Sequence, residues 1–482
     1  MCALLALLVL VLAGCGASPG STTTAAAAAT PDYDVVIYGT TTAGIGVIRG
    51  LQLATGRYPG RLRVALVSSG AEFESPLAQG LGVEDIYGSE GATGFWNEFR
   101  QSVLAYYRDR GGPAVDAQQR LRYEPEAATA VLDRVVQGSG PGGPVVVRYF
   151  GRLTSAQDDN GLRWVELETT GGPIRLTSRY LVDASPEGDL GRLLGASYMI
   201  GRREDVYNDV TKPPPPPSRA NDWATAPQSL SLLLTLQVFD GAAPLVSELR
   251  PPVYDPAGYG TGPAFSERTR AAFATSWTLR NVLPGNKREL NEAWSDYSDP
   301  VACFQWTLHP EMRDTIRSTI QTWVLNRVRY MQENGYPQVG VATLPSWPYV
   351  REGVRFLGGQ VYTSGDMRNG VAFHTVASGR YALFDRHDAK YGATQVDIAT
   401  RVFVPMETLM PRGHPWLLAP TAVSCDYRAY SSAVRMEPVR ANLGEAAGVM
   451  IAIADARRIA AQDVVYSEVQ AELSTITQRQ AP

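Results

Sequence analysis

Residues 34–49 read DVVIYGTTTAGIGVIR, and this stretch decides the fold. The apolar run Asp34–Tyr38 suits a strand buried on both faces. Gly39-Thr40-Thr41-Thr42-Ala43-Gly44 ends it, and IGVIRGLQLA (45–54) continues with helical spacing. After Tyr58-Pro59-Gly60, the run Arg63–Val67 gives a second strand. Strand, glycine turn, helix and strand form a βαβ unit. In such a unit, backbone N–H groups and the positive end of the helix dipole converge on the turn and favour the pyrophosphate of a dinucleotide. Against the G-x-G-x-x-G template Gly39 and Gly44 match, while Thr41 stands at the middle glycine. An acidic residue is expected at the end of the second strand to bind ribose hydroxyls. Ser68 stands there, with Glu72 and Glu74 a few residues on. A βαβ unit without a nucleotide reads the same way, so the turn alone does not settle binding. Gly138, Gly140 and Gly143 also fit the template, but Pro141 and Pro144 interrupt it and a strand, VVVRYF (145–150), follows where a helix is required.

The 482 residues exceed one ordinary core and imply two domains or one interrupted domain. With 44% apolar and 19% charged residues the chain is globular, and its 33 prolines and 46 glycines exclude a coiled coil. A net charge of −4 offers no field for nucleic acid. The four histidines, His309, His374, His387 and His414, show no metal-binding spacing, so no zinc site is expected.

Residues 3–13 (ALLALLVLVLA) are too short to span a bilayer and suit the core of a signal peptide. Leu12-Ala13-Gly14-Cys15 follows, the pattern of a bacterial lipoprotein cleavage box, with a plain secretory signal as the alternative. The expected organisation is a signal over 1–15, lipidation on Cys15, a flexible tether over 16–31, and anchorage to the membrane through the lipid only. No Lys or Arg precedes the apolar run, and there is no twin-arginine pair. Cys303 and Cys425 are read as buried thiols or a single pair.

Val182-Asp183-Ala184-Ser185-Pro186-Glu187-Gly188-Asp189-Leu190 closes a strand beginning near Tyr180, and here the chain resembles a bacterial family of FAD-dependent oxidoreductases. In that family a D-A-T-x-E-G-D-L run approaches the cofactor. Four further segments keep the family's order. They are Leu77–Leu81 (LAQGL), Lys287/Glu289/Asn291, Trp347–Arg355, and Arg435-Met436-Glu437-Pro438 with Leu443–Ala447 (LGEAA). Tyr123-Glu124-Pro125 is similar to the start of its helix before a β-meander. The resemblance implies an α/β fold: a Rossmann-like FAD-binding domain of the glutathione-reductase, two-dinucleotide-binding type, with an inserted α+β substrate or cap domain. It places FAD against Gly39, Thr40, Thr41, Ala43, Gly44, Ser68, Gln79, Asp183, Ala184, Gly188, Asp189 and Arg435–Pro438. Pro438 suits the first turn of a helix over Val439–Ala454, whose N-terminus would face the ring edge where negative charge develops. A packing helix capped by proline is the plainer reading. The family's S-A-x-H histidine is absent, and Asp426 or Tyr427 falls in its place.

The expected division is an FAD-binding part over 32–221, a cap over 222–360, a return to the FAD-binding part over 361–470, and a tail over 471–482. Pro213–Pro217 serve as a stiff surface connection. SLSLLLTLQVFD (229–240) reads as one strand, and Arg313–Gly335 as a helix. Asp385 and His387 resemble the family's D-x-H pair, with Tyr381 upstream. Two apart on a strand, they share a face, and the imidazole would act as base, unless they are a surface pair. Arg351, Glu352 and Arg355 suit one helical face, either clamping an anionic substrate or stitching domains together. Lys287 has the same two readings. Without a second dinucleotide motif for NAD(P)H, hydride is expected directly from a small polar, carbohydrate-like substrate, and the electron acceptor is not specified. The rival is a non-catalytic surface lipoprotein keeping the fold as a scaffold.

Overall fold

The apolar run at the front of the chain forms strand β1 (Tyr33–Tyr38), the glycine turn follows, and helix α1 (Thr42–Ala54) leads to β2 (Arg63–Ser68). The structure is a computed structural model that describes residues 30–54, 61–70, 72–85, 93–110, 112, 115–138, 143–159, 162–202, 227–246, 281–291, 296–388 and 392–480. Cys15, the tether and Pro213–Pro217 lie outside the described residues. Helices α2 (Gly94–Arg108) and α3 (Pro125–Gln137) precede β3 (Val145–Phe150). A meander of β4 (Arg152–Asp159), β5 (Leu162–Thr169) and β6 (Gly172–Asp183) completes the first half. β3, β2, β1 and β6 lie side by side as parallel strands, Ile37 pairing with Leu66 and Val182. β6 is long enough to serve twice: its first half pairs antiparallel with β5, its second half parallel with β1.

The short helix α4 (Asp189–Leu193) and strand β7 (Tyr198–Met199) follow. The expected strand 229–240 is two strands, β8 (Leu230–Ser231) and β9 (Thr235–Val238). They enter different sheets, so the chain must turn through Leu232–Leu234, whose side chains are all buried. β9 joins β10 (Val282–Leu283), β11 (Lys287–Glu289) and, beyond helices α5 (Pro300–Leu308) and α6 (Arg313–Glu333), β12 (Val339–Thr343) in a four-stranded sheet. This region has its own core, drawn from residues between Leu230 and Val350 and centred on Trp306, Ile320 and Val324. β13 (Tyr349–Val350) pairs with β8, and β14 (Arg355–Phe356) pairs back with β7. The expected helical face of Arg351, Glu352 and Arg355 is therefore replaced by a loop between two short strands.

Helix α7 (Ser364–Arg368) leads to a long hairpin of β15 (Thr375–Asp388) and β16 (Gly392–Pro405). β17 (Leu417–Leu418) then adds to the parallel sheet beside β6, followed by α8 (Tyr427–Tyr430), α9 (Glu437–Arg457) and α10 (Tyr466–Gln480). The expected tail from 471 is helical, because Val469, Leu473 and Ile476 form a stripe and the first and last are fully buried. Residues 31–482 form one compact unit. Among the described residues no helix is long and apolar enough to cross a membrane.

α9 is buried along its first eighteen residues and packs directly on α1. The contact is backbone to backbone: a Cβ on Gly448 would sit 2.2 Å from Val47 O, and one on Gly444 2.0 Å from Ala43 O. Gly448→Val should therefore lower stability by about 1–3 kcal/mol or more in urea unfolding, since neither helix has a flexible side chain to yield. Gly241→Ala, at a position with nothing within 4 Å, should leave the urea midpoint almost unchanged.

Candidate active site

Gly39 takes φ +105°, and a Cβ there would come within 2.7 Å of Ala184 C, so the turn can close only on glycine. Thr41 is accommodated at the middle glycine position because its side chain turns inward. Its hydroxyl donates to Ala184 O (2.8 Å) and accepts from Gly44 N–H (3.2 Å). The first N–H groups of α1, those of Thr42 and Ala43, have no partner within the helix and remain directed at the turn. An acid does reach the turn, from Glu74. Its carboxylate accepts from Thr40 N–H (3.0 Å), Ser69 N–H (2.9 Å) and Ser69 Oγ–H (2.6 Å), while Thr40 Oγ1 accepts from Glu74 N–H (3.0 Å). Ser68 itself is spent locally, donating to Gly70 O at 2.6 Å.

Where α9 begins, the chain encloses a polar cavity of about 300 Å³. Asp85 and Val83, from the segment after the LAQGL run, line it, with Tyr381, Asp385 and His387 of β15, Tyr349 and Arg351 of the second region, and Arg435. Four of its groups, Arg351, His387, Asp385 and Arg435, are linked in one row with Asp296, which lies behind the lining. Arg351 Nη1 meets Asp296 Oδ1 (3.1 Å), Asp296 Oδ2 meets His387 Nδ1 (2.6 Å), His387 Nε2 meets Asp385 Oδ1 (3.2 Å), and Asp385 Oδ2 accepts from Arg435 Nη2 (2.8 Å). Tyr381 OH also donates to Asp385 (3.2 Å), and Arg435 Nη1 donates to Tyr349 OH (3.0 Å). Burial and the Arg351 charge work against a protonated His387, but Asp296 and Asp385 outweigh them and raise its pKa. Burial opposes ionisation of Asp385, yet the His387 hydrogen bond and the Arg435 charge hold its carboxyl well below the usual range. Flanked by two carboxylates, His387 is favoured in its protonated form, in which both nitrogens would donate. A protonated ring has no lone pair to take a proton, so these contacts weigh against the expected role of His387 as base.

A sequence model for FAD dependent oxidoreductases matches residues 34–473. The chain belongs to the FAD dependent oxidoreductase family. FAD is accordingly its cofactor. No curated protein gave a match. Among solved structures, OxyS anhydrotetracycline hydroxylase from Streptomyces rimosus is similar at 14% identity, over 44% of this chain and 38% of that one, with a TM-score of 0.27. The crystal structure of AlpK is similar at 17% identity, over 45% and 38%, with a TM-score of 0.27. L-proline dehydrogenase from P. horikoshii is similar at 14% identity, over 35% and 23%, with a TM-score of 0.20. The chain therefore spans 38% or less of the length of these structures.

The residues of this family member fit the flavin cofactor at both ends. At the turn, the first N–H groups of α1 have no partner within the helix, and the positive end of its dipole favours an anion. At the start of α9, Arg435 Nε and Glu437 Oε2 are buried with no hydrogen-bond partner, although such atoms are almost always paired. Pro438 sits in the first turn of α9, and Met436 is its extended N-cap.

Other expected positions are occupied differently. Asp183 accepts from Ser185 N–H (3.1 Å), Ser185 Oγ–H (2.7 Å) and Gly191 N–H (2.8 Å), and burial raises its pKa to about 6. Asp189 accepts from both Nη atoms of Arg313 (2.6 and 2.8 Å) and pairs with Arg192. Gly188 caps α4 at φ +67°, where a Cβ would meet Val354. Gln79 is consumed as a brace: its Oε1 accepts from Ser346 N–H (2.9 Å) and Trp347 N–H (3.1 Å), and its Nε2 donates to Phe73 O (2.7 Å). Lys287 pairs with Glu124 away from the cavity, so it holds β11 to the start of α3 and cannot be a substrate contact there. Asp426 caps α8, accepting from Ala429 N–H (2.7 Å) and Ser364 N–H (2.7 Å), which leaves it unavailable as a base. Tyr427 lies in a different cavity. Of the arginines beside Glu352, Arg351 turns into the active-site cavity, whereas Arg355 and Arg386 both pair with Glu352, all three fully buried. Cys303 and Cys425 are buried thiols that are not joined in a disulfide.

The raised pKa of His387 fixes the sign of its contribution to stability. That contribution is complete below the unfolded value of about 6.5 and is lost as pH rises through the folded value. Nitrogen-15 NMR of the His387 ring should show two protonated nitrogens at neutral pH. His387→Gln should flatten the stability profile above pH 6.5. A ring with one bare nitrogen at pH 7 would return the histidine to the role of base.

Proposed function

We propose that this flavoenzyme takes hydride from a small polar, carbohydrate-like donor held in the cavity at the start of α9. The observation that carries the reading is the composition of that cavity: fixed cations and carboxylates on one row, with Asp85 beside them. When bound, non-covalent FAD supplies a two-electron acceptor for hydride. Gly39, Thr40, Thr41, Ala43 and Gly44 would hold its pyrophosphate, Glu74 its ribose hydroxyls, and Met436, Glu437 and Pro438 its ring edge. The insertion over 222–360 would cover the substrate.

Loss of hydride from an alcohol or amine leaves an acidic O–H or N–H, and the chain must accept that proton. His387 and Asp385 cannot, being locked to each other and to Arg435. Asp296 is equally committed, to His387, Arg351 and Ser231. Asp85 lines the cavity, and burial raises its pKa, opposed by Arg435 and Arg351 and assisted by Asp385. A raised carboxyl is a stronger base when ionised, so Asp85 takes the proton. Arg351 and Tyr381 orient the donor's oxygens. The imidazolium of His387 keeps the row balanced and exerts its field without exchanging protons.

The test is anaerobic bleaching of the flavin by a panel of sugars, polyols and amines. Asp85→Asn should retain flavin yet slow bleaching by roughly 10²–10⁴-fold. Slowing by Glu289→Gln and not by Asp85→Asn would move the role to that neighbour, and a panel that bleaches nothing would end the polar-donor reading. Glu74→Gln should bind FAD more weakly in fluorescence titration, with the protein's own unfolding midpoint little changed.

We further propose that the protein is an exported lipoprotein held to the membrane through lipid on Cys15, a reading supported by the apolar run and small residues before that cysteine. Cys15→Ser should release the protein from the membrane fraction and remove a lipid-sized mass. A wild-type protein found soluble and without lipid would overturn the assignment.

A further inference from the structure

The active-site cavity shares two of its wall residues, Arg120 and Asn281, with a larger cavity of about 620 Å³. One side of this outer cavity comes from Val115–Arg122. That segment folds back on itself at Gln119, with φ +61°, and bridges Val115 to Leu121. Arg122 bridges in turn to Val83, which lines the inner cavity, so backbone pairing fixes the segment beside the site. The other side is β10 and the turn after it. Asn281 takes φ +49°, a left-handed conformation that asparagine tolerates, and its carbonyl accepts from Glu289 N–H (3.0 Å). Val282, 44% exposed, and Pro284 give this side an apolar surface.

The charges of the outer cavity do not balance. Asp116 is the one carboxylate among its described lining residues, and Arg120 and Arg122 share it. Its Oδ2 accepts from Arg120 Nε (2.9 Å) and from Arg122 Nη2 (2.7 Å) and Nε (3.2 Å). Its Oδ1 accepts from the N–H groups of Gln118 and Arg120, both at 2.9 Å. Burial opposes ionisation of Asp116, but the Arg122 hydrogen bond and the Arg120 contacts hold its carboxyl below the usual range. One negative charge therefore serves two guanidinium groups. Arg122 Nη1 is buried with no hydrogen-bond partner among the described residues, although such donors are almost always paired. An anion brought into the cavity would take that donor and cancel the excess positive charge.

We propose that the outer cavity is a second subsite for the donor, and that the donor is an anionic glycoside. Its sugar-like part would occupy the inner cavity, an apolar body would lie against Val282 and Pro284, and a carboxylate would take guanidinium N–H donors from Arg122 and Arg120. The volume falls within the roughly 300–1,000 Å³ of small-molecule sites. No member of the row from Arg351 to Arg435 lines the outer cavity, so the subsite adds binding without altering the hydride step. The inference rests on the reading that the donor lies in the inner cavity.

The experiment is calorimetric titration of the flavin-loaded protein with 4-carboxyphenyl β-D-glucoside, phenyl β-D-glucoside and glucose. Both glucosides should bind more tightly than glucose. The carboxylate should bind at least roughly tenfold more tightly than its neutral analogue, by a margin that shrinks as salt is raised. Arg122→Gln and Arg120→Gln should each weaken the carboxylate by roughly tenfold, as expected for a lost charge-assisted hydrogen bond. Phenyl glucoside should keep its affinity in both variants, which separates loss of the anion contact from loss of the fold. Val282→Trp, which narrows the outer cavity, should weaken both glucosides relative to glucose. The proposal is overturned if neither glucoside binds at millimolar concentration, if the acid and the neutral glucoside bind equally, or if neither arginine variant changes the ratio between them. Anaerobic bleaching tests the donor reading separately: glucosides that bind in this order while they and the polar panel leave the flavin oxidised would overturn hydride transfer and not the subsite.

Discussion

The backbone contact between α1 and α9 is the constraint from which the site follows. The two helices run alongside each other with glycine at Gly46, Gly50, Gly444 and Gly448, where any Cβ would fall within 2.5 Å of the facing backbone. Close approach fixes their relative height as well as their separation, because each glycine admits one facing carbonyl and no other. Their N-termini therefore open toward the same edge of the parallel sheet. In the proposed reading one would serve the pyrophosphate and the other the ring edge, and helix packing would then set the span between the ends of a bound cofactor. Loop conformation then brings Glu74 to the turn from six residues beyond the end of β2.

A second consequence is electrostatic. The site's buried charges come from distant parts of the chain: Asp296 and Arg351 from the second region, Asp385 and His387 from β15, and Arg435 from the approach to α9. An unpaired charge at such depth is costly, and removing one partner leaves the others uncompensated. The row therefore makes the region between Leu230 and Val350 and the flavin region mutually dependent. The same holds on the far side of the sheet. There Arg313, at the start of α6, is clamped in bidentate fashion on Asp189, and Trp306 Nε1 donates to Glu187 at 2.8 Å. The D-A-S-P-E-G-D-L run thus forms a socket for the second region.

The reach of these contacts explains what the sequence could disclose. The βαβ unit, the helix at Arg313 and the helix after Pro438 were legible because local periodicity and turn chemistry determine them. Asp385 and His387 were legible as a pair because two residues apart on a strand share a face. Glu74 was visible only as an acid in the wrong place, since its return to Thr40 depends on the path of a loop. Asp296 and Asp85 carried no local signal at all. Their significance comes from long-range packing against β15 and Arg435. Lys287 and Asp426 misled for the converse reason: residue type matched a functional motif, while the nearest partners, Glu124 in one case and the open N-terminus of α8 in the other, claimed the charge. The strand read across 229–240 failed because a continuous apolar run does not reveal that its middle turns between two sheets.

The locked state of His387 also bears on which direction of chemistry the site supports. A neutral imidazole would leave Asp296 and Asp385 as two buried anions facing an uncharged ring, with only Arg351 and Arg435 at the outer ends of the row. Deprotonation is therefore resisted by the same contacts that hold the ring in place, and burial alone, which favours the neutral form, does not reverse it. Under the proposed reaction, a cation held in the cavity would lower the energy of an alkoxide or other anion forming on the donor. Proton transfer then falls to a group whose charge is free to change. In this cavity that requirement separates Asp85, whose pKa is raised, from Asp385 and Asp296, whose pKa values are both lowered by the cations that hold them.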